Sequence, residues 1–153
     1  GTTLSTSNQL FNGATVDIID GNNYLGTKTI SSSGTADVSD IPTISNSVEV
    51  GYGITPVFKT NPLDINTQQG PTTGSLRGLG RVVVDLKDTL SITVNTRNLE
   101  IRTVTDDPSQ PRQPITGKKE LRLLGYSRDP QVTISQNDPL SIQINSVIAE
   151  VQI

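Results

Sequence analysis

The sequence predicts an all-β protein whose antiparallel strands form two lobes, as a sandwich or small barrel, with little or no helix. Apolar and polar residues alternate along several short segments, which is the period-2 pattern of a strand with one wet face. Clusters of Gly, Pro, Asn and Asp separate these segments. No window keeps the capped i, i+3, i+4, i+7 apolar stripe of an amphipathic helix. The composition, with 32% hydrophobic and 3% aromatic residues, suits sheets with one solvated face.

The first strands are predicted to form a hairpin. In residues 14–19, the side chains of Ala14, Val16 and Ile18 share one face. Residues 20–23 read Asp-Gly-Asn-Asn, and Asp-Gly is a strong hairpin signal, so residues 24–30 are expected to return antiparallel. Further strands are predicted at residues 35–38, 48–52 and 54–58.

A change of composition predicts the division into lobes. Residues 61–80 are rich in Gly, Pro, Thr and Gln, a mixture typical of linkers. We therefore expect a linker at residues 66–79, between an N-terminal lobe of residues 1–65 and a C-terminal lobe of residues 80–153. Gly78 and Gly80 are expected to let the chain swing from the linker into the next strand.

The second lobe is predicted to begin with a strand at residues 81–88, in which Val82, Val84 and Leu86 face one way. Strands are also predicted at residues 90–94 and 99–104 and around Leu121 and Leu123. Residues 105–117 contain three prolines, so this segment is expected to be an exposed loop.

The C-terminal residues 125–153 carry the clearest alternation in the chain. Residues 131–136 and 140–151 are predicted as the two strands of a hairpin, joined by turn residues at 137–139. The apolar phase changes at Asn145, which predicts a bulge or a passage from one covered face to another. Residues 127–130 are expected to form a tight corner in which local hydrogen bonds orient Arg128 and Asp129.

The absent residue types restrict the chemistry. The chain has no Cys and no His, which excludes disulfides, thiolate nucleophiles, Cys-ligated zinc and the commonest general base. No apolar run approaches the length of a membrane span. The net charge of −3 gives no whole-chain signal for polyanion binding. We therefore predict no enzyme activity, no catalytic, cofactor-binding or metal-binding residues, and no cofactor.

Two groups of acidic residues are candidate sites for cations or acid–base chemistry. Adjacent Asp106 and Asp107 precede a proline, and a solvated turn is the favoured interpretation. Asp17, Asp20 and Asn22 lie in the run DIIDGN, which superficially resembles a calcium loop but lacks the EF-hand spacing and its final Glu. The hairpin turn is the favoured interpretation there as well.

Basic residues and glycines give weaker candidates. Lys118 and Lys119 raise a Ser–Lys pair in principle, but no S-x-x-K occurs. Gly78 and Gly80 lack the Lys-Ser/Thr of a phosphate loop. Most cations lie near the end of the predicted linker or after it. They could contact a phosphate backbone or an acidic neighbour, or form a solvated strand face. They are Arg77, Arg81, Lys87, Arg97, Arg102, Arg112, Lys118, Lys119, Arg122 and Arg128.

Several different short motifs follow one another in a distinctive order from about Leu10 to Val151. They lie at residues 10, 13–16, 20–21, 48–52, 80–86, 116–117, 126–129, 132–140 and 150–151. This order resembles that of the tail nozzle proteins of short-tailed (podovirus) phages, also called tail tubular protein B, and of related phage stabilisation proteins. Members of that family are much longer, and this chain does not begin with Met. The resemblance therefore implies that the chain is one region of a longer subunit.

The resemblance implies a structural virion protein located in the phage tail. Six copies would assemble as a ring that extends the tail tube, with tail adaptor and tail fibre proteins as neighbours. Genome DNA would pass through the lumen without specific binding, which agrees with a net negative charge.

Two other functions stay open at the level of sequence. A β-sandwich binding module could recognise a host-surface carbohydrate or protein. Such sites need exposed aromatic side chains, and the candidates are Tyr24, Tyr52, Tyr126, Phe11 and Phe58. A hydrolase that uses a Ser or a pair of acids is the third hypothesis.

Overall fold

The computed structural model describes residues 3–7, 9–64, 66–68, 70–72, 74–99, 106–107, 110–123 and 125–152. Over these residues the regular structure consists of antiparallel strands and one 3-10 turn at Gln9–Phe11, which confirms the all-β prediction. The chain divides into two compact units. The first comprises Gly1–Thr55, Arg102–Gln113 and Asp138–Leu140, and the second comprises Pro56–Ile101, Pro114–Asn137 and Ser141–Ile153.

The first unit contains five strands in its described residues, arranged as a two-stranded sheet, β1-β4, and a three-stranded sheet, β3-β2-β5. Their bounds are β1 Thr3–Ser5, β2 Thr15–Asp20, β3 Asn23–Thr29, β4 Thr35–Asp37 and β5 Glu49–Gly51. The hairpin predicted at residues 20–23 is confirmed, because Asp20 pairs with Asn23 and β2 runs antiparallel to β3. Gly21, at the first central position of this two-residue loop, has a φ of 58°, a conformation that glycine adopts at little cost.

The core of the first unit follows the predicted alternation. Val16 and Ile18 of β2 are fully buried, and Val16 packs with Ile30 and Ala36 in one cluster. Ala14 lies at the margin of the same cluster. The face assigned to Ala14, Val16 and Ile18 is therefore the buried face, because period-2 alternation sends every second side chain of a strand to the same side.

The second unit holds the longer strands. Their bounds are β6 Val57–Lys59, β7 Asn66–Thr67, β8 Gly70–Pro71, β9 Arg77–Thr89, β10 Thr93–Val94, β11 Arg97–Asn98, β12 Ile115–Arg122, β13 Tyr126–Ser127, β14 Thr133–Ser135 and β15 Ile144–Gln152. Strand β9 pairs with β12, β13 and β15, and a separate four-stranded sheet has the order β11-β10-β14-β6. Strands β7 and β8 form a two-stranded sheet.

One hydrophobic core joins these sheets of the second unit. Val82, Val84 and Leu86 of β9 are fully buried, and they share a cluster with Val132 and Ile134. The predicted core face of residues 81–88 is thus confirmed. Each such side chain contributes roughly 1.5–3 kcal/mol when it is fully buried, so the alternation of β9 and β14 stabilises this unit directly.

The predicted hairpin of residues 131–136 and 140–151 is wrong. Strand β14 pairs with β10 and β6, whereas β15 pairs with β9 in another sheet. The turn residues interrupt the strand as expected, but local turn chemistry does not decide which partner the next strand finds. The phase change at Asn145 is confirmed as a bulge, because the register with β9 shifts between Ile144 and Ser146.

The boundaries of the units differ from the predicted lobes. Residues 56–79, including the expected linker, belong to the second unit. Three strands begin within residues 66–79, and Arg77, Gly78 and Leu79 are buried. The first unit also takes in residues 102–113 and 138–140 from the C-terminal half. Composition suggested a linker at residues 66–79, but contacts with residues distant in sequence place this polar segment inside the second folded unit.

Gly78 and Gly80 do not form the predicted swing point, since both lie within β9. A Cβ atom on Gly78 would lie 3.2 Å from the carbonyl oxygen of Gly125, and one on Gly80 would lie 2.5 Å from Nε2 of Gln152. These glycines therefore permit close packing of β9 against its neighbours.

Other predicted segments differ in their ends. Of residues 90–94 only Thr93–Val94 pair as a strand, although Leu90 and Ile92 are buried as expected. The predicted loop of residues 105–117 ends early, because β12 begins at Ile115. The strand around Leu121 and Leu123 ends at Arg122. The strand predicted at residues 99–104 lies outside the described residues apart from its first position.

Candidate functional site

The second unit carries an open polar groove with a volume of about 1040 Å³. One side is the wet face of the β11-β10-β14-β6 sheet, and the other side is formed by β13 and the corner that follows it. Most of the lining side chains are hydroxyls, amides or charged groups. The groove is therefore suited to a polar ligand that can exchange hydrogen bonds with water for hydrogen bonds with protein.

The alternation of β14 forms the floor of the groove. Thr133 and Ser135 line the groove, while Val132 and Ile134 are buried in the core on the opposite face. Across the strands, Thr133 is paired with Lys59 and Ser135 with Thr93. Paired residues of an antiparallel sheet project to the same side, so this register gathers hydroxyl and ammonium groups from three strands.

The turn between β10 and β11 braces this floor. Asn95 and Thr96 have φ values of 45° and 70°, the left-handed pair that a tight two-residue hairpin requires. Asn95 Oδ1 accepts a hydrogen bond from the backbone N–H of Thr133 at 2.6 Å, and its Nδ2 donates to the carbonyl of Gln131 at 3.2 Å. The side chain of Asn95 therefore holds the start of β14 in place.

The opposite wall contains Tyr126, whose side chain is among the exposed large apolar groups at 65% exposure. The corner predicted at residues 127–130 is confirmed in part, since Ser127 Oγ accepts a hydrogen bond from the backbone N–H of Asp129 at 3.1 Å. Arg128 is held through its carbonyl oxygen, which accepts a bond from Arg77 Nη2 at 2.5 Å.

Arg77 is a buried cation beneath the groove, with only 1% of the residue exposed. Its Nη1 donates to the Leu63 carbonyl at 2.7 Å and forms an ion pair with Asp64, also at 2.7 Å. Its Nε has no acceptor among the described residues. Sequence reasoning placed Arg77 in a linker and missed this role, because a lone Arg among Gly and Thr gives no sign of burial.

Two cations of the groove, Lys59 and Arg97, lie on strands β6 and β11 at the two edges of the sheet. Neither forms an ion pair with any residue that the structure describes. Asp129 brings one negative charge to the same groove. Lys59 is paired with Thr133 on the wet face, whereas Arg97 is paired with Val94, whose side chain lies in the core. The floor of the groove therefore combines one free cation, Lys59, with neutral polar groups.

The candidate calcium loop is a hairpin in which three polar side chains serve different partners. The Asp17 carboxylate accepts bonds from the Tyr24 hydroxyl at 2.6 Å and from the Gly53 backbone N–H at 2.7 Å. Asp20 Oδ2 accepts a bond from the Ser45 N–H at 2.9 Å. Asn22 donates to a backbone carbonyl of residue 112 at 2.9 Å. The hairpin interpretation is confirmed, and these residues stabilise loops of the first unit.

The hydrogen bond from Tyr24 to Asp17 raises the pKa of the Tyr24 phenol to about 12, with burial and the charges of Asp17 and Asp138 adding to the shift. Ionised Tyr24 would lose its donor and face a carboxylate. The neutral phenol is therefore the form that the fold favours.

Two exposed aspartates of the first unit have a lowered pKa for local reasons. A hydrogen bond from the Ser39 backbone N–H lowers the pKa of Asp37, and the Lys28 ammonium lowers that of Asp40. Both contacts favour the charged carboxylate, which is typical of surface turns and ion pairs.

The remaining candidates do not gather into a site. Asp106 and Asp107 are exposed, as are Lys118 and Lys119 on β12. Across the residues that the structure describes, no group of three or more His, Cys, Asp and Glu could hold a metal ion.

Several cations of the second half are neutralised by acidic neighbours. Arg81 lies 3.4 Å from Glu120 and 3.2 Å from Glu150, and Arg112 lies 2.9 Å from Asp138. These pairs favour the interpretation of a solvated, charge-balanced strand face over a phosphate-binding stripe. Arg102 lies outside the described residues.

Comparisons with other proteins add no relative: no protein-family model matches the chain, and no curated protein does. Among the described residues, no helix has the length and apolar character needed to cross a membrane.

Proposed function

We propose that the chain is a structural virion protein, part of a phage tail tube or nozzle through which genome DNA is ejected. The order of its short motifs supports this assignment. So does its all-β architecture, since sheets offer edges at which copies can pair. In this proposal six copies form a ring, tail adaptor and tail fibre proteins are its neighbours, and DNA passes through the lumen without specific binding.

The observation that carries the proposal is the free edge of β6. Within the described residues β6 pairs only with β14, so its other side presents unpaired backbone groups. Val57 and Phe58 of this strand are 67% and 55% exposed. Beside them lies an apolar recess of about 160 Å³ lined by Pro56, Phe58, Ile134, Ser135, Ile142 and Ile144.

Strand β12 provides a contrast within the same unit. It carries exposed Lys118, Lys119 and Arg122, and charged side chains of this kind discourage pairing with another chain. Strand β6 has only Lys59 for that purpose, next to two apolar residues. We infer that β6 is the edge at which a second copy of this chain docks, because an unprotected apolar edge is costly to leave in water.

The test compares assembly of the natural protein with that of edge variants. Phe58→Asp and Val57→Lys place a charge at β6, and Leu76→Asp, at an exposed apolar residue of the same unit outside β6, is the matched control. Light scattering and negative-stain microscopy should show rings for the wild type and the control, and smaller species for both β6 variants. Rings of unchanged size in both β6 variants would refute docking at this edge. A full-length subunit that stays strictly monomeric and does not join tail particles would refute the tail assignment.

A second candidate function is a binding module for a host-surface carbohydrate or protein. It is favoured by Tyr126, which is exposed on the wall of a polar groove. Tyr24 is a poorer candidate, because its hydroxyl is engaged by Asp17. A glycan-array screen that gives hits with the wild type and loses them in Tyr126→Ala would support this function.

A further inference from the structure

We propose that the polar groove of the second unit binds a neutral oligosaccharide, a short chain of uncharged sugar units. The inference rests on the second candidate function, the binding module, and specifies its ligand class; it does not depend on ring assembly. Two features of the groove carry it. The first is the exposed ring of Tyr126 on the wall, and the second is a pair of amide side chains, Asn98 and Asn137, at the floor.

The ring of Tyr126 is positioned by a glycine on the neighbouring strand. Tyr126 of β13 is paired with Gly78 of β9. A Cβ atom built on Gly78 would lie 3.2 Å from Cε1 and 3.3 Å from Cδ1 of the tyrosine ring. The ring therefore covers the glycine, where no side chain competes for the space. Because Tyr126 is 65% exposed, the rest of the ring stays open to a ligand.

An exposed aromatic ring that rests on backbone is suited to a sugar. The C–H face of a pyranose can lie against the ring, while the sugar hydroxyls turn toward polar groups. The wall is also anchored from below, because Nη2 of the buried Arg77 donates to the carbonyl oxygen of Arg128, two residues beyond Tyr126. The wall is thus ordered before the ligand arrives, which lowers the entropy cost of binding.

The floor offers a hydrogen-bond donor and an acceptor side by side. Asn98 Oδ1 accepts bonds from the Thr93 hydroxyl at 2.6 Å and from Asn137 Nδ2 at 3.1 Å. These contacts leave Nδ2 of Asn98 and Oδ1 of Asn137 without a partner in the part of the chain that the structure describes. An adjacent donor and acceptor match two neighbouring hydroxyls of a sugar, since each hydroxyl can both donate and accept.

The strand register places this amide pair on the same face as the hydroxyls of β14. Thr93 is paired with Asn98 on one side and with Ser135 on the other, and Thr133 lies two positions before Ser135. Paired residues, and alternate residues along one strand, project to the same side of a sheet. A ligand that crosses from β14 to β11 therefore meets hydroxyl and amide groups from three strands.

The size and charge of the groove favour an uncharged chain of sugars. Its volume of about 1040 Å³ lies at the upper end of the range for small-molecule pockets, about 300–1,000 Å³, most of which are apolar. This groove is instead lined mainly by polar groups, and Lys59 and Asp129 bring one charge of each sign. A ligand with several carboxylates would find a single free cation on this face of the sheet, whereas a neutral chain needs none.

A nucleic acid is a poorer match for the same groove. The chain has a net charge of −3, which opposes the approach of a polyanion of high charge density. Single-strand binders stack successive bases on several aromatic side chains, and Tyr126 is the only aromatic residue among those that line the groove.

The test begins with a glycan array that carries neutral oligosaccharides of glucose, galactose, mannose and N-acetylglucosamine beside carboxylated counterparts. The neutral oligosaccharide that binds best is then titrated into the protein by isothermal titration calorimetry at low and at high salt, with a short single-stranded DNA as the nucleic-acid probe. We expect the neutral chain to bind more tightly than its carboxylated counterpart and the DNA. Its affinity should change by less than about twofold with salt, because no ion pair to the ligand is screened.

Variants locate the site. Tyr126→Ala removes the ring and Asn137→Ala removes one amide, and each should weaken binding by about tenfold. Gly78→Ala keeps every polar group but displaces the tyrosine ring, so it should also weaken binding. Tyr52→Ala, at an exposed tyrosine of the first unit, and Asn145→Ala, at an exposed asparagine of β15, are the matched controls and should bind like the wild type. Circular dichroism checks that each variant is folded.

The proposal is overturned if no neutral oligosaccharide binds, if the carboxylated counterpart or the DNA binds as tightly, or if the control variants lose binding to the same extent as Tyr126→Ala. Binding confined to carboxylated glycans would reject the neutral ligand but keep the binding module, whereas an array without any hit would reject both. Ring assembly is measured separately by light scattering, so each of these results leaves the test of the tail assignment intact.

Discussion

The guanidinium of Arg77 joins segments that are distant in sequence. It bonds to Leu63 and Asp64 on one side and to the carbonyl of Arg128 on the other. A buried cation is tolerated when most of its donors find partners, as the two terminal nitrogens of Arg77 do, because desolvation of an unpaired charge is costly. Arg77 therefore ties the polar segment that precedes β9 to the corner that forms one wall of the groove.

We expect Arg77→Lys to destabilise the second unit, because an ammonium group cannot reproduce a planar fork that reaches several acceptors. Lys keeps the charge but leaves acceptors such as the Arg128 carbonyl without their donors, which costs about 1–3 kcal/mol. Since the Asp64 side chain is 41% exposed, water screens part of its attraction to the cation, and we expect the loss to lie within that range.

Urea unfolding followed by circular dichroism measures this loss. Arg81→Lys is the control, since Arg81 is half-exposed and its ion pairs lie at the surface, where such pairs contribute about 0–1 kcal/mol. Equal midpoints for Arg77→Lys and the wild type would show that the buried fork does not stabilise the fold.

Ionisation of Tyr24 makes the free energy of unfolding depend on pH in the alkaline range. The pKa of its phenol is raised from 10.0 to about 12 in the folded chain, so folding favours the protonated form. The stabilisation is complete below pH 10 and is lost as the pH rises through about 12. Tyr24→Phe should abolish this part of the pH dependence, because the ionisable group is gone.

The measurement compares denaturant midpoints across that pH window for wild type, Tyr24→Phe and Tyr126→Phe. Lysine deprotonation contributes equally to all three proteins, so the comparison isolates Tyr24. If the denaturant midpoint of Tyr24→Phe falls with rising pH as steeply as that of the wild type, the assigned hydrogen bond to Asp17 is contradicted.

At the scale of elements, β14 separates a dry face from a wet one within three residues. Ile134 is 2% exposed and packs in the core, whereas Thr133 and Ser135 line the groove. One strand thus contributes both to the stability of the second unit and to its candidate site. A shift of register by one residue would exchange the two faces, so the core also fixes the floor of the groove.

We expect Ile134→Asp to unfold the second unit, because it removes a buried side chain and introduces a carboxylate without a partner. The cost should be about 4 kcal/mol or more. Ile142→Asp should cost less than Ile134→Asp, since Ile142 is only partly buried at the margin of the core. Ser135→Asp, at the neighbouring position on the wet face, is the control and should stay folded.

Thermal unfolding followed by circular dichroism distinguishes these variants. A melting temperature of Ile134→Asp equal to that of the wild type would contradict the assigned core face. A stronger loss in Ser135→Asp than in Ile134→Asp would show that the two faces of β14 are reversed.

At the scale of the whole molecule, the chain forms two units from interleaved segments. Residues 102–113 and 138–140 join the first unit although most of their neighbours in sequence belong to the second. Opposite charges that are far apart in sequence also pair, as Arg81 does with Glu120 and Glu150. These features arise from contacts between residues far apart in sequence, so neither follows from local composition.

The sequence by itself determined the strand class, the hairpin at residues 20–23, the core faces of β2 and β9, and the change of apolar phase at Asn145. Each of these depends on neighbouring residues, because alternation and turn chemistry act over a few positions. Only the tertiary structure decided that β14 and β15 lie in different sheets, that Arg77 is buried, and that Lys59, Arg97 and Tyr126 line one groove. Strand partners are selected by packing over the whole unit, and a local pattern of polar residues does not reveal which of them will meet.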